Sequence, residues 1–208
     1  HVDGDAFFTS VEQAMHPALK NRPLVTGRER GIIACASYEA KRLGIKRGVS
    51  LRDARETCPQ LVVLPSDYES YSIYSKRMFD ILRHYTPWVE ESSIDEGFAD
   101  LSGMQRFFRK SYDRIACDIQ DEIRGKLDIS VSVGISTSKT LAKLASDFKK
   151  PGGITSVPGT QIETFLANTP LGDVCGFGEK TVQLTAKYGM RTAGDFIAQP
   201  ESVAGKLM

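Results

Sequence analysis

The order of apolar and polar residues predicts that the chain opens with a strand followed by a helix. Residues 1–8 form a short apolar run that carries two aspartates, which is typical of a strand. Ser10, with Gln13 three residues later, matches a capping box. A helix is therefore predicted from Ser10 to about Leu19.

A small unit of short elements is predicted next. Residues 31–36 are again apolar and strand-like, and residues 38–43 predict a short helix that ends at Gly44. Ser50 with Asp53 predicts the start of another helix. These elements form an insert after the first strand.

Two long helices and a hairpin are predicted in the middle of the chain. The first helix begins after Asp67 as N-cap and ends before Pro87, and residues 88–101 predict two strands around the turn S-S-I-D-E-G. A second long helix follows. The apolar residues at helical spacing in these two helices are Tyr71, Tyr74, Met78, Ile81, Leu82 and Tyr85, then Phe108, Tyr112, Ile115, Ile119 and Ile123.

The spacing of apolar residues changes again after the second helix. Residues 129–135 alternate apolar and small polar residues, which predicts a half-buried strand, and Ser138 then caps a helix. Residues 151–153, Pro-Gly-Gly, end this unit, and residues 158–208 predict short helices separated by glycines. The inward side chains of the capped helix are predicted to be Leu141, Leu144, Ala145 and Phe148.

The sum of these elements predicts an α+β fold. It resembles a split β-α-β-β-α-β sheet with its helices on one face and a small insert after the first strand.

Four acidic residues are candidates for a metal site. Asp3 and Asp5 lie two apart in the predicted strand, so their side chains face one side, and Asp95 and Glu96 lie at the hairpin turn. If the two strands are neighbours, the carboxylates converge. Charges about 4 Å apart repel by roughly 4 kcal/mol at an effective dielectric near 20, which calls for a cation.

The chemistry of such a site is in-line displacement at phosphorus with two metal ions. Oxygen ligands with no histidine nearby favour Mg²⁺ or Mn²⁺ over zinc. The alternative, that these acids are ordinary surface or turn residues, stays open at this point.

Two further features are typical of phosphate binding. Tyr38 and Lys41 share one face of a short helix at its N-terminal end, and Lys150 stands just before the Pro-Gly-Gly break, so the three could clamp a triphosphate. The alternative is that the lysines are solvated. Later, G-F-G-E-K-T places Gly176 and Gly178 in a turn before a helix, which resembles a helix-hairpin-helix element or a plain packing unit.

Composition narrows the class of protein. The 208 residues are 41% hydrophobic and 25% charged, as in globular proteins, and the net charge is +1. Only residues 10–67 are clearly basic, with ten Lys/Arg against six Asp/Glu. The sequence contains no C-x-x-C pair, so it does not indicate a zinc site. It also contains no apolar stretch that approaches the roughly 20 residues needed to span a bilayer. We therefore expect an intracellular protein without a membrane partner, located in the cytoplasm of a bacterial or archaeal cell or otherwise inside a cell.

Five motifs occur in order along the chain: H-V-D-G-D-A-F-F, S-Y-E-A-K-R-L-G-I-K-R-G, S-I-D-E-G-F-A-D-L-S, V-S-V-G-I-S-T-S-K-T-L-A-K-L-A-S-D-F-K-K-P-G-G and G-F-G-E-K-T. Together they resemble the Y-family translesion DNA polymerases, and among these the DNA polymerase IV (DinB) group. The resemblance implies a palm at residues 1–9 and 68–157, fingers at 10–67, and a helical thumb with a helix-hairpin-helix element at 158–208.

The resemblance also implies roles for individual residues. Asp3, Asp95 and Glu96 match the catalytic, metal-binding carboxylates, with the Gly4 carbonyl as a further ligand of two Mg²⁺ ions. Asp5 matches an acid that is not a ligand. The remaining matched positions are Tyr38, Lys41 and Lys150 for the triphosphate, Phe8 as a steric gate against ribonucleotides, and Gly176, Gly178 and Lys180 for DNA.

The partners implied are primer-template DNA, deoxynucleoside triphosphates and a sliding clamp. A further DNA-gripping domain and a clamp-binding tail would follow Met208, so the chain is expected to be a fragment. Three positions depart from the family pattern: Gly4 and Gly97 are smaller than expected, and Lys41 stands in place of arginine, which alone makes a planar bidentate contact.

Parts of the sequence also fit three other functions. A haloacid-dehalogenase-type phosphatase would use the first aspartate of D-G-D as nucleophile, but its fold needs a parallel doubly wound sheet. A nucleotide cyclase shares a similar palm without the late glycine turn. A catalytically silent DNA-binding relative would not need Asp3, Asp95 and Glu96.

Overall fold

The computed structural model describes residues 1–200, 202 and 205. Its strands are β1 (Val2–Gly4), β2 (Leu24–Thr26), β3 (Cys35–Ala36), β4 (Val62–Leu64), β5 (Val89–Glu91), β6 (Glu96–Ala99), β7 (Val131–Ser136) and β8 (Ile154–Val157). Its α-helices are α1 (Phe7–Met15), α2 (Tyr38–Arg42), α3 (Leu51–Thr57), α4 (Tyr68–Arg83), α5 (Met104–Phe108), α6 (Tyr112–Leu127), α7 (Lys139–Phe148), α8 (Ile162–Ala167), α9 (Glu179–Lys187) and α10 (Ala193–Ile197).

The main sheet has five strands in the order β5-β6-β1-β7-β8. β1 is central and pairs antiparallel with both β6 and β7, whereas β7 and β8 are parallel. The predicted hairpin at 88–101 is therefore present as β5 and β6. β8 was not predicted, because the Pro-Gly-Gly sequence indicated the end of the unit and the strand that follows it is short.

The helices α4 and α6 cover one face of this sheet. Asp67 and Ser111 cap their N-termini by accepting hydrogen bonds from backbone amides, as expected for Asp67. Val2, Val131 and Val133 supply the sheet side of the core. The buried helix residues opposite them are Tyr71, Met78, Phe79, Ile81, Leu82, Ile115, Ala116, Ile119 and Ile123.

Helix α7 covers the opposite face, which corrects the prediction that all helices share one face. Alternate residues of β7 face opposite sides, so Gly134 points away from the core that contains Val133. A Cβ atom on Gly134 would lie 1.9 Å from the carbonyl oxygen of Ala142 on α7. The glycine therefore lets the helix backbone pack directly on the strand.

The predicted start of the chain was wrong at the first helix. The strand ends at Gly4, Ala6 adopts a left-handed conformation with φ 47°, and α1 begins at Phe7. Ser10 lies inside α1 and donates to the carbonyl oxygen of Asp5 instead of capping. The turn follows from the contacts of Asp5, whose carboxylate is held by β7.

The second long helix and one core residue were also mispredicted. Phe108 belongs to the separate helix α5, because Arg109 adopts φ 53° and interrupts the helical run before α6. Phe148 is 64% exposed, although it was predicted to face inward with Leu144 and Ala145, which are buried. It lies at the end of α7, edge to face with Phe165.

The insert forms its own three-stranded sheet, β3-β2-β4, with a separate core. The helices predicted at 38–43 and after Ser50 are present as α2 and α3. β2 and β4 were missed because each has three residues, too few to establish a period. The buried residues of this core are Val25, Ile33, Ala36, Ala40, Ile45, Ala54, Cys58 and Leu61.

The last segment is helical, as predicted for the part that the structure describes. It contains α8, α9 and α10, and the predicted turn before α9 includes Gly176 at φ 100°. The end of the predicted segment beyond residue 200 lies outside the described residues, apart from positions 202 and 205. Within the described chain, no helix has both the length and the apolar character needed to cross a bilayer.

Gly97, which is smaller than the family pattern suggests, is explained by its neighbours. A Cβ atom there would lie 2.5 Å from Cε1 of Phe79 and 2.7 Å from the carbonyl oxygen of Glu90. The space beside Gly4 is also occupied, because a Cβ atom there would lie 2.8 Å from Cδ2 of Phe7. The two aromatic rings occupy the space that larger residues would need.

Candidate active site

Two of the three candidate carboxylates, Asp3 and Glu96, come together on adjacent central strands, and Asp95 lies next to them at the hairpin turn, outside the group of closest ligand atoms. Asp3 on β1 is paired in register with Glu96 on β6, and the amide of Gly4 donates to the carbonyl oxygen of Asp95 at 2.8 Å. The ligand atoms of His1, Asp3 and Glu96 lie within 4.8 Å of one another. The expected convergence of the first strand and the hairpin turn is therefore present in the geometry.

Each carboxylate is held at one of its two oxygens. Oδ1 of Asp3 lies 2.7 Å from Nζ of Lys150, and Oδ1 of Asp95 accepts a hydrogen bond of 2.7 Å from the Ser93 hydroxyl. Oε2 of Glu96 accepts from Nζ of Lys143. Among the described residues, these hydrogen bonds and closest ion-pair contacts leave the second oxygen of each group for another ligand.

Burial affects the pKa values of the paired groups Asp3 and Lys150. It raises the pKa of Asp3 to about 6, against the opposing effect of the Lys150 ammonium, and the charges of Asp147 and Asp95 raise it further. Burial alone would lower the pKa of Lys150, but hydrogen bonds with Asp147 and Asp3 outweigh it and raise that pKa. At neutral pH the two groups therefore form an ion pair.

Asp5 has a structural position beside the cluster. Its buried carboxylate accepts from the hydroxyls of Ser130 and Ser132 and from the amide of Gly152, each at 2.7 Å. These contacts connect β1 to β7 and to the loop that carries Lys150. The donors contact both oxygens of the Asp5 carboxylate, so this buried group is fully hydrogen-bonded.

Tyr38 and Lys41 extend the site from the insert. The Tyr38 hydroxyl lies 3.5 Å from Oδ1 of Asp5, and burial, with the charge of Asp5, raises the pKa of Tyr38 to about 12. Nζ of Lys41 stands 4.3 Å from the centre of the Tyr38 ring, so the two share a face as predicted. The helix α2 has only five residues, so its macrodipole is short.

The two aromatic residues after the first strand have different environments. Phe7 is buried in the main core, whereas Phe8 is only partly buried. The Phe8 ring stacks on Tyr71 with centroids 4.4 Å apart and an interplanar angle of 11°, and it meets Tyr68 edge to face. Both residues lie in the first turn of α1 and not in a strand, so the expected strand alternation does not separate them.

Two residues at the carboxylates were not predicted from the sequence. The expectation of no histidine nearby was wrong, because Nε2 of His1 lies 3.4 Å from Oε2 of Glu96, and Nδ1 of His1 is hydrogen-bonded to Ser146 at 2.8 Å. Lys143 was read as part of a motif without a role. The signal that could have found it is the spacing of Lys139, Lys143 and Asp147, which places them on one face of α7.

The predicted DNA-contacting residues lie apart from the carboxylates, in the last segment. Gly178 is the N-cap of α9 and provides no side-chain cap, and Lys180 is exposed in its first turn. The first amides of an α-helix have no partner within the helix, so this start offers backbone donors. The segment thus has the donors that a phosphate requires.

Comparison with known proteins identifies the family. The model described as the impB/mucB/samB family matches residues 2–147, more than half of the chain. The chain belongs to the impB/mucB/samB family. The prediction of a Y-family polymerase domain related to DNA polymerase IV is confirmed by this match and by the relatives and structures below.

The related sequences and structures agree with that assignment. Over 205 residues the chain is 37% identical to DNA polymerase IV of Dehalococcoides mccartyi (strain CBDB1), covering 97% of this chain and 52% of the relative. It is 40% identical over 185 residues to DNA polymerase IV of Bacteroides fragilis (strain YCH46), covering 88% of this chain and 50% of the relative. The chain thus spans about half the length of these curated relatives.

Solved structures match the family domain over almost its whole length. An insertion ternary complex of Dbh DNA polymerase has a TM-score of 0.89 at 29% identity, covering 99% of this chain and 62% of that chain. DinB from Sulfolobus solfataricus has a TM-score of 0.87 at 28% identity, covering 99% of this chain and 61% of that chain. The predicted mixed α+β fold is confirmed.

Proposed function

We propose that this chain is the catalytic part of a template-directed DNA polymerase of the translesion type, which adds deoxynucleotides to a primer 3′ end during DNA damage tolerance and repair. The observation that carries the proposal is that Asp3 and Glu96 meet on two central strands with Asp95 at the adjoining turn, each carboxylate having one oxygen held and one open. The DNA polymerase IV relatives support this use of the site.

The units of the fold take their proposed roles from the same family. Residues 1–9 and 68–157 are the palm, which contains the five-stranded sheet. Residues 10–67 are the fingers, which contain the separate small sheet, and residues 158–208 are the thumb. A polymerase needs these units to surround a nucleotide and a duplex, and the carboxylates lie where the palm approaches α2 of the fingers.

The donor set fits two Mg²⁺ ions, with Mn²⁺ as a substitute. The open oxygens of Asp3, Asp95 and Glu96 and the carbonyl of Gly4 are hard donors of the kind that Mg²⁺ prefers. His1 faces the Glu96 oxygen that Lys143 already contacts, so we assign His1 to the support of Glu96. When bound, the ions would activate the attacking 3′ oxygen and neutralise charge on the triphosphate.

The nucleotide is proposed to bind between the carboxylates and the fingers. Lys150 is paired with both Asp3 and Asp147, so its ammonium is held at the edge of the carboxylate cluster, where a triphosphate would meet it. Tyr38 and Lys41 reach the same region from α2. Phe8 is proposed to lie under the sugar and to exclude a 2′-hydroxyl.

The partners proposed are primer-template DNA and deoxynucleoside triphosphates. Gly176, Gly178 and Lys180 would hold a DNA phosphate through backbone amides and one ammonium at the start of α9. A sliding clamp is a further proposed partner. An intracellular, cytoplasmic location follows from these partners.

The phosphatase alternative is disfavoured by the strand directions. A haloacid-dehalogenase-type enzyme places its nucleophilic aspartate on a strand of a parallel sheet. Here β1, which carries Asp3, is antiparallel to both of its neighbours. A covalent phosphate on Asp3 would nevertheless be decisive for that class.

The test of the proposed function is extension of a labelled primer on a template by this chain, with all four deoxynucleotides and Mg²⁺. We expect addition that follows the template sequence and stops when the metal is chelated. The same reaction without template is the control. Products that ignore the template, or no products from a folded protein that binds the duplex, would contradict the proposal.

The affinity for DNA is expected to be modest and strongly dependent on salt. Phosphate contacts release counterions, so log K should fall linearly with log salt, by about 0.9 per contact. The Lys180→Gln variant should reduce this slope by roughly one, whereas Lys187→Gln, at the far end of α9, should not. Fluorescence anisotropy across a salt series measures the affinity and its salt dependence. An affinity independent of salt would refute contacts between the protein and DNA phosphates.

A further inference from the structure

One face of α7 carries a row of charged residues that contact the sheet. Lys139, Lys143 and Asp147 are four residues apart and therefore lie on one side of the helix. Lys139 pairs with Glu90 and Lys143 pairs with Glu96. Asp147 contacts the same Lys150 that holds Asp3. The helix thus approaches successive strands through ion pairs.

The two lysine pairs differ in their surroundings. The side chains of Lys139 and Glu90 are 59% and 58% exposed, so water screens their contact. Those of Lys143 and Glu96 are 28% and 21% exposed. An ion pair that is shielded from water has a stronger mutual orientation and a larger effect on nearby charges.

The Lys143 contact selects one oxygen of Glu96. Lys143 and His1 both approach Oε2, from α7 and from the start of the chain. With Oε2 occupied from these directions, the carboxylate is fixed in rotation. Its other oxygen, Oε1, accepts no hydrogen bond from the described residues, and the backbone of Glu96 is paired in register with that of Asp3.

We propose that Lys143 is a positioning residue that holds Glu96 by Oε2 and so presents Oε1 to the divalent ion. This inference rests on the proposed function, and it adds a residue to the site. The ammonium has a second consequence, because a positive charge beside the carboxylates lowers their attraction for a dication. Lys143 therefore weakens metal binding but fixes the geometry of the Glu96 ligand.

The Lys143→Met variant separates these two consequences. Loss of the charge should tighten Mn²⁺ binding to the DNA-free protein by roughly fivefold, as counted by electron paramagnetic resonance of the unbound ion. Loss of orientation should lower kcat for single-nucleotide addition by roughly 10- to 100-fold at saturating Mg²⁺, with KM for the nucleotide within about twofold. Tighter binding with slower turnover is a pair of changes that a loss of folding does not produce.

Two matched variants complete the experiment. Lys139→Met removes the same kind of side chain one turn earlier on α7 and should leave metal binding and kcat unchanged. Lys143→Arg retains the charge, so it should keep the wild-type Mn²⁺ affinity and recover part of kcat. A melting curve of each variant accompanies the kinetics, because a structural loss lowers the melting temperature.

The inference is overturned if Lys143→Met matches Lys139→Met in both measurements. It is also overturned if metal binding, turnover and melting temperature all fall together, which indicates a structural role. Failure of the proposed function is visible separately, as a wild-type protein that binds Mn²⁺ but does not extend a primer. In that case the Mn²⁺ measurement alone still decides whether Lys143 acts on the carboxylates.

Discussion

The Asp95→Ala variant is expected to lose at least roughly a thousandfold in primer extension, which corresponds to about 4 kcal/mol of transition-state stabilisation. Asp95 lies at the hairpin turn beside Gly4, and its side chain is held only by the Ser93 hydroxyl among the described residues. Removing it takes one carboxylate from the proposed metal ligands without leaving a buried partner unpaired. Single-turnover extension at saturating Mg²⁺ is the measurement.

Binding and stability should be nearly unchanged in the same variant. We expect its free energy of unfolding to stay within about 1 kcal/mol of wild type, because the lost hydrogen bond is exposed. The affinity for primer-template DNA should also be retained. Glu91→Ala on the same hairpin is the control, since Glu91 is exposed and pairs with Arg83 away from the cluster. Near-normal extension by Asp95→Ala would sink the proposed site.

Asp3→Ala and Glu96→Ala should lose extension to a similar degree, but their stability is harder to keep constant. Asp3 holds Lys150 and Glu96 holds Lys143, so each removal leaves a partly buried ammonium with one partner fewer. Asp95 is therefore the cleanest of the three positions for the test.

The Phe8→Ala variant is expected to lower discrimination against ribonucleotides by roughly 100-fold, equivalent to about 2.7 kcal/mol. The Phe8 ring is only partly buried and is supported by its stack on Tyr71. Tyr71 is itself fully buried and donates a hydrogen bond of 2.7 Å to Glu12, which makes the support rigid. A smaller side chain leaves room for a 2′-hydroxyl while the deoxynucleotide reaction remains measurable.

Phe7→Ala is the matched control for this prediction. Phe7 is buried, so its removal should cost about 3–5 kcal/mol of stability and affect both nucleotide types alike. Phe8→Ala should cost less, since its ring is only partly covered. Extension with the two nucleotide types side by side, with a melting curve of each variant, separates the cases. Unchanged sugar discrimination in Phe8→Ala would refute the gate.

Several elements of the fold could be predicted because their signals are local. The predicted caps Ser50, Asp67 and Ser138 each accept a hydrogen bond from an amide three residues later, and each begins a helix at the predicted place. Apolar spacing also placed the cores of α4 and α6 correctly. These signals depend on residues close in sequence.

Other elements could not be predicted because distant contacts decide them. The chain turns at Ala6 because Asp5 is drawn to Ser130 and Ser132, more than a hundred residues away. Strand β8 is stabilised by its parallel pairing with β7 and has no period of its own. The face that α7 covers is chosen by the close approach that Gly134 allows.

The sequence by itself determined the family and the identity of the acidic residues, since motifs and their order are properties of the chain alone. Only the tertiary structure decided which oxygen of each carboxylate is held, and by which of Ser93, Lys143 and Lys150. The physical reason is that charges interact through space and with the solvent that burial removes. Their strength therefore depends on distances and exposure that only the folded chain defines.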